Sequence, residues 1–430
     1  MKRYFLLFLV FSKTYSQDSL SLNDCLELAF KNNLLIKNAL IAQEISNIQS
    51  KSKYYAILPN VQLSSGRNTF WGRGIDPLTN SYVEQQFQSS NGGISSGFNV
   101  FSGFKNLYEI KLAKQQVEYN KTSLQKIKND ITIEIAGLYT QIQYVSEIIE
   151  SNKEQILASE KQAEVATLKF KSGLIAESEV FKIKAQIAAE KTELISNENE
   201  LNTLRLGLKQ SLNLTLSAPI LLKKPLIRNN IVLPKIDVPF AVQNNPSFVI
   251  TQYTIEREKL NVQLKKAQFY PSIQFGANLS SSYSGTDQIA GFINQMRNNL
   301  SKSIGFNLSF PIFSNFQNRF AIKENVLNYE SMKVNSEIES VRLEKVILQA
   351  INDVKAAQTK YGSAVEFEFF SQKSYNSDWF KFEQGRISVV ELNASKVNLI
   401  KAKAELIKTK YDLLFRTALI EFYAGKAFDL

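Results

Sequence analysis

The sequence predicts a mainly α-helical chain built from one unit used twice, each copy running helix, β-hairpin, long helix, helix. Three observations carry this. The stretch Lys169-Phe170-Lys171-Ser172-Gly173-Leu174-Ile175 returns 212 residues later as Lys381-Phe382-Glu383-Gln384-Gly385-Arg386-Ile387. At the same offset Glu179, Lys184 and Glu193-Leu194-Ile195 return as Glu391, Lys396 and Glu405-Leu406-Ile407, and an ungapped repeat marks a duplication. Apolar residues also recur in sevens over stretches far longer than a globular helix. After Pro59 and its twin Pro271 the pattern switches to strict alternation, which is the period of a strand.

In chain order, residues 1–16 read as a signal peptide. Lys2 and Arg3 precede the apolar run Tyr4 to Ser12, and Ser16 is a small residue before a cut at Gln17. The first repeat then spans 17–228 and the second 229–430. Leu20-Ser21-Leu22-Asn23-Asp24 opens a helix with Ser21 or Asn23 as cap. That helix breaks near Asn32-Asn33 and stops before Pro59, because the residue preceding a proline is pushed out of the helical region. Ala241, Asn244-Asn245 and Pro271 repeat the arrangement.

The strands are expected near 60–71, 92–102, 272–284 and 302–313. Ile273, Phe275, Ala277, Leu279 and Tyr283 alternate with Gln274, Gly276, Asn278, Ser280 and Ser282. Ile304, Phe306, Leu308, Phe310 and Ile312 alternate with Gly305, Asn307, Ser309 and Pro311. In the first half Val61, Leu63, Ile94, Phe98 and Val100 mark the apolar face, and Trp71, Tyr82 and Tyr283 lie toward the outer ends, where an aromatic girdle would sit. Polar loops, roughly 72–90 and 284–300, join each pair. A half-buried sheet in a soluble domain gives the same alternation. Two features favour lipid: transmembrane strands need about 9–11 residues of it, and the polar face here is Ser, Asn, Gln and Gly with almost no charge. Four strands cannot close a barrel alone, and an open edge is not tolerated in lipid. Membrane strands would therefore make the protein an oligomer.

Coiled-coil hairpins follow over 104–212 and 315–424. Ile110, Val117, Leu124, Ile131, Leu138 and Val145 recur in sevens, interleaved with Ile135, Ile142, Ile149, Ile156, Ala163 and Phe170. At 1.5 Å per residue the first helix is a rod of about 100 Å. Gly173 and Gly385 mark the bends. Val180, Ile187, Leu194, Leu201 and Leu208, then Val390, Val397, Ala404, Tyr411 and Ala418, carry the returning helices. Between the halves, Pro219, Pro225 and Pro234 punctuate an extended connector that includes Ile231-Val232-Leu233.

Composition narrows the chemistry. The chain carries +11, and removal of residues 1–16 with Lys2, Arg3 and Lys13 leaves +8. Its lysines are scattered among glutamates, so no basic stripe for nucleic acid forms. There is no histidine and a single cysteine, Cys25, on an apolar helical pattern where core packing is its expected role. This removes the commonest general base and any internal disulfide framework. No phosphate-cradling Gly-rich loop is present and no Cys/His set that holds zinc. The reading is a protein that is not an enzyme and uses no cofactor or metal.

These residues resemble a known family, the outer membrane factors, which are TolC-like efflux and secretion channels of Gram-negative bacteria. The likeness rests on Leu20-Ser21-Leu22-Asn23-Asp24-Cys25-Leu26-Glu27-Leu28-Ala29 with Asn32-Asn33, on Tyr55-Ala56-Ile57-Leu58-Pro59 and Phe269-Tyr270-Pro271-Ser272, on Phe310-Pro311-Ile312-Phe313-Ser314, and on the turns at Gly173 and Gly385. It implies a homotrimer whose twelve-stranded β-barrel, four strands per chain, lies in the outer membrane and continues as a periplasmic α-helical barrel. It further implies an exit duct serving a periplasmic adaptor (membrane fusion) protein and an inner-membrane pump, its periplasmic end closed by inward-coiled helices until the partners open it. On that model Phe170, Gly173, Leu174, Ile175, Phe382, Gly385, Arg386 and Ile387 form the adaptor-docking tip, and Glu177, Glu179 and Glu391 supply charge at the entrance. Arg67 departs from the expected strand pattern. The competing readings are an exported coiled-coil structural or adhesive protein without a pore, and the adaptor itself, which would carry one hairpin instead of two.

Overall fold

A computed structural model describes residues 19–76, 80–84, 86–225, 236–286 and 290–430. The expected signal peptide, the connector residues Ile231 to Pro234 and parts of both strand-joining loops lie outside them. The chain forms two compact units, one of Met1–Ala39, Leu124–Asn245 and Ser340–Leu430, the other of Leu40–Ser123 and Pro246–Glu339.

The helices are α1 (Leu22–Asn32), α2 (Leu34–Tyr55), α3 (Lys105–Lys171), α4 (Glu177–Ser211), α5 (Val238–Gln243), α6 (Pro246–Lys266), α7 (Phe292–Asn298), α8 (Gln317–Glu383) and α9 (Val389–Tyr423). Both ends of α3 and α4 recur in α8 and α9 at the 212-residue offset. So do eight of the ten described residues with positive φ: Gly103 and Asn315, Phe104 and Phe316, Gly173 and Gly385, Asn213 and Gly425. The duplication therefore extends to backbone conformation. Among the described residues no helix is long and apolar enough to cross a membrane.

In the first unit Ser21 caps α1 in a capping box with Asp24. Buried Asn33 makes the break: its Oδ1 accepts from the Leu35 and Ile36 amides (2.8 and 3.3 Å), and its Nδ2 donates to the Ser211 carbonyl at 2.7 Å. The heptad residues Leu124, Ile131, Ile135, Ile142, Val145 and Ile149 form the core with Cys25, Leu208 and Leu212. The start of the connector pairs with the N-terminal segment. Leu20 N–H donates to the Leu221 carbonyl and Lys223 N–H to the Leu20 carbonyl, both at 2.9 Å. The Tyr139 hydroxyl donates to the Lys223 carbonyl at 2.5 Å, and burial pushes its pKa up to about 12.

The second unit holds a four-stranded antiparallel sheet in the order β1 (Asn60–Phe70), β4 (Phe87–Ser102), β5 (Ser272–Ser284), β6 (Ser301–Ser309). The two hairpins thus join through β4 and β5. Directly paired residues share a face, so the register stacks Leu63, Ile94, Leu279 and Lys302, then Val61, Ser96, Ala277 and Ile304, then Phe98, Phe275 and Phe306. The three phenylalanines run ring to ring at 5.4 and 5.2 Å. Val61 (73%), Ile304 (80%) and Phe306 (73%) are exposed, so these rows of the apolar face lie uncovered among the described residues.

Four strand details differ from expectation. β4 begins at Phe87 because that ring stacks on Phe70 at 4.9 Å and is buried. Val100 yields its place on the apolar face to Phe101, since a bulge between Asn99 and Phe101 shifts the register. β6 ends at Ser309, before Pro311, which has no N–H for a ladder. Arg67 shares a face with Ser90 and Tyr283, two rows beyond the Leu63–Lys302 row, and so lies past the apolar band. The first loop folds a small hairpin, β2 (Gly74–Ile75) with β3 (Tyr82–Val83), and the second folds α7.

Gly103 enters α3 at φ +63°, where an added Cβ would lie 2.6 Å from the Ala267 carbonyl oxygen and 2.9 Å from Tyr270 Cβ. Gly103→Ala should lower the thermal midpoint of the purified protein by several degrees, as about 1–3 kcal/mol of backbone strain requires, whereas Asn315→Gly at the twin position should be nearly neutral. An equal drop in both variants would refute the clash.

Candidate functional site: the paired hairpin turns

The two turns are set by helix termination. Gly173 and Gly385 adopt φ +75° and +72°. Gly173 N–H donates to the Phe170 carbonyl and Leu174 N–H to that of Lys169, both at 2.9 Å. Gly385 and Arg386 repeat these bonds to Phe382 and Lys381 at the same distance. The pair closes a helix C-terminus around a left-handed residue. A Cβ at either glycine would meet nothing within 4 Å, so the conformation alone calls for glycine.

The twin turns differ in their side chains. Leu174 is 73% exposed and Phe170 38%, while Phe382, the twin of Phe170, is 1% exposed. Phe382 packs with Ala166, Val180, Ile183, Val389 and Leu392 into a cluster shared by both hairpins, and half-buried Ile175 and Ile387 lean on it. Full burial of that ring contributes about 1.5–3 kcal/mol. Phe382 is thus a support of the tip instead of a free contact, and Arg386 is exposed beside it. Lys169 adds to the asymmetry. Its ammonium lies 4.3 Å from the Phe382 ring centroid and donates to the Phe382 carbonyl, and burial pulls its pKa down against the charge of Glu383.

The acidic residues are only partly free. Glu391 forms a capping box with Ser388: its carboxylate accepts from the Ser388 amide at 3.2 Å, and Ser388 Oγ accepts from the Glu391 amide at 3.3 Å. Its twin Glu179 pairs with Lys182 at 2.7 Å, because Ala176 replaces the capping serine. Glu177 is exposed in the first turn of α4.

Sequence reasoning missed the polar links between hairpins. Lys396 Nζ donates to Glu190 Oε1 at 3.0 Å, both side chains being only 5% exposed. Ser159 bonds both partners, and Gln186 Nε2 donates to Glu190 Oε1 at 3.2 Å. Burial opposes ionisation of Glu190, yet the bonds from Ser159, Gln155 and Lys396 outweigh it and hold the carboxyl below its ordinary value. Further along, Lys410 donates to both Glu147 oxygens at 2.8 Å and the Tyr411 hydroxyl donates at 2.7 Å. The signal lay where the repeat breaks: Lys184 and Lys396 are twins, but the position matching Glu190 is Ala402. A cleft of about 270 Å³ opens beside this network, lined by Asn152, Gln155, Gln186, Glu190 and Lys401. Among the described residues no acidic, Cys or His group is grouped to hold a metal.

A depressed carboxylate stabilises the fold above its ordinary pKa of 4.5 and loses that contribution as pH falls through the lower folded value. The thermal midpoint of the native protein should therefore exceed that of Glu190→Gln by a constant margin above about pH 5, and the margin should shrink below about pH 4. A margin that widens on acidification would contradict the ionised pair.

A family model described as outer membrane efflux protein matches residues 25–214 and 239–425. No curated protein matches the sequence. In fold the chain is similar to CusC, known in crystal structures of transmembrane channel formation (TM-score 0.83, 12% identity, 94% of this chain and 92% of that one). It is similar also to the outer-membrane channel OprN (0.80, 15%, 95% and 90%) and to the Campylobacter jejuni CmeC outer membrane channel (0.81, 16%, 95% and 86%). Together with the four-stranded sheet and its uncovered apolar face, the match over both repeats means that this chain belongs to the outer membrane efflux protein family, acts in efflux and resides in the outer membrane.

Proposed function

We propose that the chain is the passive exit duct of a tripartite efflux or type I secretion system. Three copies share one twelve-stranded barrel, the helical hairpins extend into the periplasm, and an adaptor and an inner-membrane pump engage at the turns. The observation that carries this reading is the sheet: an apolar face turned outward, a neutral Ser/Asn/Gln/Gly face behind it, and unpaired edges at β1 and β6. A neutral polar lining selects little, so the partner chooses the substrate. The duct performs no reaction and needs no cofactor; the pump supplies the energy.

At the tip, Leu174 and Arg386 make the docking contacts, with Phe170 beside them. Gly173 and Gly385 shape the turns, and Ile175, Ile387 and Phe382 back them from the shared cluster. Glu177 gives the entrance its free negative charge, with Glu179 and Glu391 held at the helix starts. Because Leu174 and Arg386 are exposed, changing them spares the fold.

Leu174→Asp combined with Arg386→Glu should reduce export in intact cells at least tenfold, while a heat-resistant trimer still fractionates with the outer membrane. Export unchanged in the double variant would clear these side chains of docking. A soluble periplasmic chain with no trimer would defeat the duct.

A further inference from the structure

The second strand-joining loop does not project freely. α7 folds back onto the sheet, over its central pair: Ser281 Oγ donates to the Met296 carbonyl at 2.5 Å, and the Tyr283 and Phe292 rings lie 5.1 Å apart. Met296 Cε also lies 4.0 Å from where a Cβ on Gly92 would be. Gln295, 2% exposed, locks the helix in place. Its Oε1 accepts from the Ser284 amide at 2.9 Å and its Nε2 donates to the Ser284 and Ala290 carbonyls at 3.0 and 2.8 Å. Ser281, Tyr283 and Gly92 stand on the same sheet face as Leu279 and Ile94. The helix therefore lies on the apolar face, at its loop end, directly beyond the lipid-facing rows.

What α7 presents outward is unusual for a loop in water. Phe292 is 52% exposed and Ile293 79%, and Leu300, just past the helix, 48%. Exposed Arg297 follows on the helix, and Lys302 stands on the same sheet face, opposite Leu279. Neither cation meets a carboxylate among the described residues, and in sequence Asp287 is the one acidic residue from 272 to 314. Apolar side chains continuous with a lipid-facing band, with basic ones beside them, form an interfacial element that suits anionic headgroups. α7 lies against β5 and, through Met296, over Gly92 of β4, so Phe292, Ile293 and Arg297 stand away from the β1 and β6 edges, while Lys302 stands on edge strand β6 with its side chain on the same apolar face.

We infer that α7, with Phe292, Ile293, Arg297 and Lys302, is a lipid-binding shelf that holds anionic, phosphate-bearing lipid of the outer leaflet against the barrel. The inference rests on the sheet's apolar face meeting lipid.

Full-length protein in neutral detergent, titrated with phosphatidylglycerol or zwitterionic phosphatidylcholine and read by native mass spectrometry, tests it. Arg297→Gln with Lys302→Gln should weaken phosphatidylglycerol binding about thirtyfold, a little over fivefold for each basic residue, and leave phosphatidylcholine unchanged. Arg297→Lys with Lys302→Arg should retain the native affinity. Unchanged phosphatidylglycerol binding in the Gln variant, or an equal loss for both lipids, would overturn the shelf. Trimer content and pore formation, measured on the same samples, separate that result from failure of the duct itself.

Discussion

An unpaired sheet edge cannot remain in hydrocarbon, where each unsatisfied backbone group costs several kcal/mol. Most of this chain's architecture answers that constraint. Among the described residues four strands ending at β1 and β6 leave two open ladders, which on the proposed duct are satisfied within the membrane by further copies of the same strands. A barrel shared among chains, as proposed, would bring the helical hairpins of neighbouring copies together. The long apolar heptads, and the exposed side chains Val334, Ile338 and Val341 on α8, suit that crowding.

Within one chain, the two hairpins are bound by contacts of differing kinds. Phe382 supplies apolar burial at the tip, Lys396 and Glu190 a desolvated ion pair, and Glu147 with Lys410 and Tyr411 a bidentate link. A buried pair adds little net stability compared with apolar packing, but losing one partner is expensive, about 3–5 kcal/mol. Its effect is to fix how the hairpins are matched. The exposed residues Leu174 and Arg386, proposed above as docking contacts, consequently sit beside a packed base.

Much of the backbone was legible in the sequence, because a duplication fixes geometry twice: Gly173 and Gly385 take the same left-handed φ in both copies. The side-chain environments were not. Phe170 and Phe382 are identical in sequence, yet one is open and the other buried, since the two hairpins pack face to face and each residue meets a different neighbour. The Glu190 network was hidden for a related reason: its partner Lys396 lies 206 residues away, and no local period encodes such a meeting. Alternation located the strands but not the bulge at Val100, because a bulge preserves composition while shifting register. The α7 fold-back escaped notice because a seven-residue helix leaves too short a period to read.

On the proposed reading several copies of this chain enclose one continuous aqueous pore. Single-channel recording of the purified protein in a planar bilayer tests it most directly. The account predicts discrete, unitary conductance steps that track the trimer fraction and vanish when the trimer is dissociated. Trimers that insert into the bilayer and pass no current, even after the tip is loosened by Lys396→Ala, would contradict it.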